Sequence, residues 1–442
     1  MKRITILLVL MVAVLSFSCE KDEPYKATAD RLLVTSITPA TGTAKAIVFI
    51  NGKNFSKVRS ENVVKFNGTE AIVLEASPSQ LQVVAPERAE TGAITVIVNG
   101  VEMKGPVFTY TEAVSHYFVS TVAGGGSTFG FIDGQGTEAR FRNPDGVVFD
   151  KAGNLIITDR TNHSIRRMTP DGQVTTIAGN GVAGFADGIP GQFTFPWQCA
   201  IDTDGNVIVV EKDGGRIRKI GPDGTVSTLA GPRKSGTNVG YMDGPAESAR
   251  LNNPLDAVVD KDGNTFIADR NNKRIRKLSP DGVVSTVAGD GTADILKNPL
   301  SLDIDAHGNL IVADANWIKK ITPAGEISII AGTGTKGFSN GVPGQPLTAQ
   351  LGDIFGLTID QSGNILFADA SNHMIRMLKA SPGGDYSTGT VSTIAGTGAS
   401  GRGDGFGNQA TFNAPYDVAV APDGTIYVAD NLNHLIRKIT RK

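Results

Sequence analysis

The sequence predicts an all-β chain: a small β-sandwich followed by a six-bladed β-propeller that an N-terminal strand closes. Three observations carry this. Of 442 residues, 53 are glycine and 6% are aromatic, a mix that favours short strands and turns over long helices. Residues 34–111 alternate short apolar runs with turn dipeptides. From residue 117 onward, a script of four short strands repeats to the end of the chain.

The first residues are of another kind. Lys2 and Arg3 precede an apolar run from Ile4 to Leu15, which meets Ser16-Phe17-Ser18-Cys19. A basic start with so short an apolar stretch reads as a secretory signal and not as a stable membrane span. Its end at a cysteine resembles the bacterial lipoprotein signal. That implies cleavage after residue 18, a lipid on Cys19 and attachment to a membrane through that anchor. Ser16 departs from the usual pattern, which has Leu at this place. The acidic cluster Glu20-Lys21-Asp22-Glu23 resembles the signal that sends some lipoproteins to the outer face of the outer membrane, and it also reads as a solvated linker. The expectation is an outer-membrane lipoprotein exposed at the cell surface, with residues 19–33 as linker. With Cys19 lipidated, Cys199 has no disulfide partner, and its apolar strand makes it a buried small hydrophobe.

In the sandwich, strand-like runs begin near Ala46, Asn62, Ala71, Leu81 and Ala93, separated by Asn51-Gly52, Asn67-Gly68, Ser77-Pro78 and Asn99-Gly100. Ile37-Thr38-Pro39, Gly52 to Phe55, Val64 to Gly68, Leu81 through Ala85-Pro86 and the closing Phe108-Thr109-Tyr110 resemble the immunoglobulin-like IPT/TIG domain. The resemblance implies a spacer or interaction module at residues 34–111, with no catalytic set.

The repeat is read from its phrases. A strand is followed by a Gly-Asn turn (Gly153-Asn154, Gly205-Asn206, Gly263-Asn264, Gly308-Asn309, Gly363-Asn364). A second strand ends in an acid: Asp159, Glu211, Asp269, Asp314, Asp369 or Asp430. A third strand and a Pro-x-Gly turn lead to the fourth, VTTIAG from Val174, with kin beginning at Val226, Val284, Ile327 and Val391. Six second strands give six blades. The last blade stops after its third strand, and a copy of the fourth, VSTVAG from Val119, stands before the first blade. Pairing the two closes the ring and leaves no open edge. The residues resemble NHL-repeat propellers, down to Asn433-His434-Leu435, over residues 117–442.

Net charge is −2, from 42 Lys and Arg against 44 Asp and Glu, so no global field attracts nucleic acid or anionic lipid. Each strand-ending acid precedes a base, seven places on in five blades (Asp159 to Arg166, for example) and five from Asp314 to Lys319. On adjacent strands such pairs contribute about 0.2–1 kcal/mol each, and their recurrence in every blade marks scaffold. Some NHL propellers bind RNA on a basic face; here each base is matched, and no nucleic-acid partner is expected.

His163, His373 and His434 share one slot, in the hairpin between strands two and three of neighbouring blades. That far from the axis they are too widely spaced to share a metal, so hydrogen bonds capping the hairpin are expected. Some six-bladed relatives are lyases or lactonases with metal ligands on the inner strands. The positions nearest the axis here are Gly146, Gln198, Asp256, Ser301, Gly356 and Asp417, with no histidine. Asp256 and Asp417 alone are a poor ligand set, so no metal, no cofactor and no catalytic residues are expected.

Five connections between blades carry Gly-x-x-Asp/Asn-Gly, at Gly130, Gly184, Gly240, Gly337 and Gly401. They read as structural: an Asx-turn, glycine at positive φ and an aromatic plugging the junction. One step before the axis positions stand Asp145, Trp197, Leu255, Leu300, Phe355 and Tyr416. Trp197, Phe355 and Tyr416 at the channel mouth, with Asp145, Gln198, Asp256 and Asp417 beside them, suit the apolar face and hydroxyls of a sugar. Packing between blades is the other account of these residues. The expected function is a non-catalytic surface binding module, for a glycan or a surface protein. The rivals are a propeller lyase or lactonase with an axial metal, and a protein–protein scaffold at the outer membrane.

Overall fold

Asn67-Gly68 and Asn99-Gly100 each place both residues at positive φ, which joins strands by the tight turns that match their twist. These turns link Asn62–Phe66 to Thr69–Ser77 and Gly92–Val98 to Val101–Tyr110. The computed structural model describes residues 31–43, 45–86, 91–110, 117–125, 128–232, 239–381 and 384–442. The signal at 1–18, the Cys19 lipid site, the Glu20–Glu23 cluster and most of the 19–33 linker lie outside them. Among the described residues no helix is long and apolar enough to cross a membrane.

The chain divides into two compact units, one ending at Ala113 and the other beginning at Val114. In the first, Leu33–Thr38, Ile47–Lys53, Gln80–Val84 and Thr69–Ser77 pair in that order, and Asn62–Phe66, Gly92–Val98 and Val101–Tyr110 continue the series. Alternate residues point inward, as the two-residue period requires, and Val48, Ile50, Val64, Phe66, Leu81, Val83, Ile94, Val96 and Phe108 are fully buried. Phe66, Phe108 and Tyr110 meet edge to face at one end. This is the expected immunoglobulin-like sandwich.

The second unit is a propeller of six sheets. In the first blade Pro144–Phe149, Leu155–Asp159, Ser164–Met168 and Gln173–Ala178 pair antiparallel from the axis outward. The sixth consists of Pro415–Val420, Ile426–Asp430, Leu435–Arg441 and, from the other end of the unit, Tyr117–Ala123. Ile439 pairs with Val119 and Lys438 with Ser120, so the early copy of the fourth-strand phrase is the missing outer strand. Apolar clusters fill the six junctions between blades. At the seam of the sixth and first, Ala419, Ala429 and Ile436 pack on Val147, Leu155 and Ile157. Most connections also run along the outer edge of the blade they enter: Gly134 pairs with Val174, Gly188 with Val226, Gly244 with Val284 and Gly405 with Val119.

Candidate functional site

At one mouth of the central channel the inner strands bring Trp197, Phe355 and Tyr416 together, packed with Leu255 and Leu300 from the same slot. Ring centroids lie 4.6 Å apart for Phe355 and Tyr416, 5.9 Å for Trp197 and Tyr416, and 6.2 Å for Trp197 and Phe355. Phe355 and Tyr416 are half-buried, while Trp197 is only 6% exposed. Two cations cover the indole: the Lys212 amine lies 4.3 Å from its centroid and the Arg160 guanidinium 5.0 Å. The aromatic surface open to a ligand is therefore that of Phe355 and Tyr416.

The four polar residues grouped with these rings are committed elsewhere. Asp145 is 1% exposed and holds Arg160 at 2.6 Å, and the Asn431 amide donates to its other oxygen. Gln198, Asp256 and Asp417 form a layer one residue deeper. Asp256 accepts from the Ser301 hydroxyl at 2.6 Å and from the Leu302 and Ala257 amides at 2.9 and 2.8 Å. Asp417 accepts from the Val147 and Val418 amides, both at 2.8 Å. Gln198 donates across the channel to the Phe355 carbonyl at 3.3 Å. Asp256 and Asp417 thus tie the inner strands of neighbouring blades to one another, and Gln198 ties opposite blades, below the mouth.

The layer fits because two of its members are glycine. A Cβ on Gly146 would stand 2.9 Å from the Gln198 Cα, and one on Gly356 2.6 Å from the Asp417 Cα. Each glycine thus leaves room for the longer side chain of the following blade. Burial pushes the Asp256 carboxyl up to about 7 and Asp417 well above the usual carboxylate range, with the Asp303 charge adding to the first and the Asp256 charge to the second. Below them the channel holds a cavity of about 190 Å³, lined by Val147, Cys199, Ala257, Leu302, Leu357 and Val418 among others. Cys199 is free and buried, and burial raises its thiol well above the ordinary range, so it is an inert wall. Among the described residues no three His, Cys, Asp or Glu side chains gather as a metal set.

The repeated acid–base pairs are in contact across adjacent strands, and they are buried, so the figure of about 0.2–1 kcal/mol per pair understates them. Arg166 Nη1 meets Asp159 at 2.7 Å, both side chains being 0% exposed, and the same holds for Arg276 with Asp269 at 2.8 Å and Arg437 with Asp430 at 2.6 Å. Removing one partner here strands a buried charge, which costs about 3–5 kcal/mol, more than an exposed cross-strand pair contributes. The Gly-x-x-Asp/Asn-Gly connections supply the second partner. Asp133, Asp187, Asp243 and Asp404 bind the outer nitrogen of Arg166, Arg218, Arg276 and Arg437, and Asn340 does so for Arg376. Phe131, Phe185 and Tyr241 stack on those guanidiniums instead of plugging the junction; Phe131 and Tyr241 are 41% and 48% exposed. This corrects the Asx-turn and plug reading: the motif clamps a buried arginine.

The three hairpin histidines are also structural, and their hydrogen bonds leave the hairpin. Nδ1 of His163 accepts from the Phe195 amide at 3.2 Å, that of His373 from Ala414 at 3.0 Å, and that of His434 from Asn143 at 3.0 Å. Each partner begins the inner strand of the following blade. Burial holds His163 and His434 below the usual histidine range.

Sequence reasoning missed the cations at the mouth. Arg160, Lys212 and Arg270 each follow the strand-ending acid directly, in blades one to three, where Ala315, Ala370 and Asn431 stand in the others. The signal was present as a change of charge in one repeat slot.

Comparison with known proteins agrees with this architecture. The IPT/TIG domain matches residues 32–111 and the NHL repeat matches residues 141–168 and 412–439. NHL repeat-containing protein 2 of Homo sapiens is 26% identical over 71% of this chain, and the chain spans only 41% of that protein's length. Suppressor of quenching 1, a chloroplastic protein of Arabidopsis thaliana, is 37% identical over 23% of this chain, which corresponds to 10% of its own length. Among solved structures, a Bacteroides thetaiotaomicron protein of unknown function superposes with a TM-score of 0.58 at 22% identity, covering 93% of this chain and 98% of its own. Auxiliary nutrient binding proteins of Bacteroides thetaiotaomicron and Bacteroides ovatus superpose with TM-scores of 0.57 at 17% and 18% identity, each covering 93% of this chain and 98% of its own. At these identities the shared property is the fold. The chain thus joins an IPT/TIG immunoglobulin-like domain to a six-bladed β-propeller that carries NHL repeats at residues 141–168 and 412–439.

Proposed function

We propose that the protein is a non-catalytic binding module whose propeller takes a glycan at the channel mouth, with the immunoglobulin-like domain as spacer. The observation that carries this is the partly exposed pair Phe355 and Tyr416, with ring centroids 4.6 Å apart and packed against Trp197, Leu255 and Leu300. Rigid, partly exposed aromatic faces suit the apolar face of a sugar ring. The likeness in fold to two auxiliary nutrient binding proteins supports a binding role. The axial carboxylates, each held by backbone amides, are poorly disposed for the lyase or lactonase alternative. On this reading Cys19 carries the lipid that tethers the module to the outer membrane, facing outward.

A glycan array with the purified protein tests the proposal. Binding that falls at least tenfold in Tyr416→Ala and in Phe355→Ala, with unchanged melting, is the expected result. An array without hits, beside a co-purifying protein partner, would overturn it in favour of the scaffold reading. Radiolabelled palmitate incorporated by the wild type and not by Cys19→Ala tests the anchor separately.

A further inference from the structure

The mouth of the channel is lopsided in charge. Arg160, Lys212 and Arg270, from three successive blades, stand on one side of the aromatic cluster. Arg160 meets the buried Asp145 at 2.6 Å. Arg270 donates to the Asn298 and Asn253 side-chain oxygens at 2.7 and 3.4 Å and, among the described residues, meets no carboxylate. Lys212 lies 4.3 Å from the Trp197 ring centroid, and among the described residues its amine makes no hydrogen bond or ion pair. The acids that act on it from a distance are its exposed neighbour Asp213 and the buried Asp145, while Arg160 and Arg270 repel it. Partial burial and that repulsion hold the amine below the usual lysine range. Lys212 thus combines a half-buried ammonium, an aromatic wall and two neighbouring cations, a grouping whose charge an oxyanion would offset.

We propose that Lys212, with Arg270 and the outer edge of Arg160, binds an oxyanion carried by the ligand, so that the glycan taken up on Phe355 and Tyr416 is acidic. This rests on the glycan reading and narrows it to sugars bearing a carboxylate or a sulfate ester. The spacing supports it. Lys212 covers the Trp197 ring, whose centroid is 5.9 Å from that of Tyr416, so a ring stacked on Tyr416 has its substituents beside the amine. The carboxylate or sulfate gains a charge-assisted hydrogen bond in a site sheltered on one side from water. A simpler role for Lys212 is to cover the indole, and methionine performs that role without the charge.

Calorimetric titration of the whole protein with trigalacturonate, its methyl ester and a sulfated galacto-oligosaccharide separates these accounts. The expected result is tighter binding of at least one charged ligand than of the methyl ester, with the advantage fading as salt rises past 0.15 M or so, where the Debye length is about 8 Å. Which charged ligand binds better identifies carboxylate or sulfate as the group. Lys212→Met should remove about tenfold of affinity for that ligand, leave the methyl ester unaffected and leave melting unchanged. Equal affinity for charged and esterified ligands, insensitive to Lys212→Met, would overturn the anion site and leave the glycan reading standing. No binding of any of the three, together with an empty array, would overturn both.

Discussion

His434, in the last blade, accepts a hydrogen bond on Nδ1 from the amide of Asn143, at the threshold of the first, across 3.0 Å. The seam of the ring is therefore tied at two radii: at the rim by the paired outer strand, and nearer the axis by this bond. The residue suits its place because it sits at φ 59°, a left-handed conformation, and offers an acceptor just beyond it. A neutral imidazole is required, since a protonated Nδ1 cannot accept. Burial and the Arg142 and Arg402 charges lower the His434 pKa below 6.5. The folded state then takes up its proton later than the unfolded chain, so the stability from this group is complete above about pH 6.5 and is lost as pH falls. His434→Asn tolerates the left-handed backbone and does not titrate. The melting advantage of the wild type over this variant should shrink between pH 7.5 and 5.5. A gap independent of pH would show that the imidazole is not the sensitive group.

Arg437 lies at the same seam and gives a second prediction. It bonds Asp430 at 2.6 Å and Asp404 at 2.7 Å, and also donates to the Thr411 and Gly403 carbonyls. Arg437→Met keeps the volume, leaves Asp430 buried without its partner and should cost about 3–5 kcal/mol in chemical denaturation. Lys261→Ala, which removes an exposed pair with Asp262, should leave the denaturation midpoint nearly unchanged. Equal effects from the two would contradict the buried-spoke account.

The contrast shows what the sequence discloses and what it withholds. A seven-residue step from acid to base is visible in the chain, and so is a fourth-strand phrase displaced to the front, because repeats declare their register. Depth is not written in spacing. Arg437 became a core residue because Asp404, from a connection 33 residues earlier, closes over its outer edge. The mouth was legible for Trp197, Phe355 and Tyr416, which occupy one repeat slot. It was misleading for Asp256 and Asp417, whose carboxyls turn to backbone amides of the neighbouring blade and of their own strand. Lys212 escaped notice because its approach to Trp197 depends on how one hairpin folds over the next strand.

Asp256 supplies a pH effect of opposite sign. Burial raises it to about 7 from an ordinary 3.8, so the folded protein holds this proton more tightly than the unfolded chain. Its contribution is fully present below about pH 4 and is lost as pH rises through 7, at up to about 1.4 kcal/mol for each pH unit crossed. Asparagine can keep an acceptor toward Leu302 and Ser301 without ever ionising. Asp256→Asn should therefore gain on the wild type in melting temperature between pH 5 and 8. A variant that loses ground as pH rises would show that the ionised carboxylate is the form the channel stabilises.

Closure by the N-terminal strand leads to the last prediction. Residues Tyr117–Ala123 contribute the whole outer edge of the sixth blade, paired from Tyr117 with Arg441 to Ala123 with Ile436. They also carry Val119 and Ala123, both fully buried, into the packing of two junctions. A chain starting at Gly125 lacks this strand and exposes the backbone of Leu435–Arg441 as an open edge. It also leaves Asp404 without the Thr121 amide and hydroxyl that it accepts from at 3.0 Å, which loosens the clamp on Arg437. An unpaired edge beside exposed apolar residues recruits other chains. This shortened chain should elute from a sizing column as aggregate or dimer and unfold at lower denaturant. Supplying a peptide of residues 115–125 should restore the monomer, since the missing strand makes no covalent demand on the ring. A shortened chain that stays monomeric and melts with the wild type would show that the sixth blade closes on three strands alone.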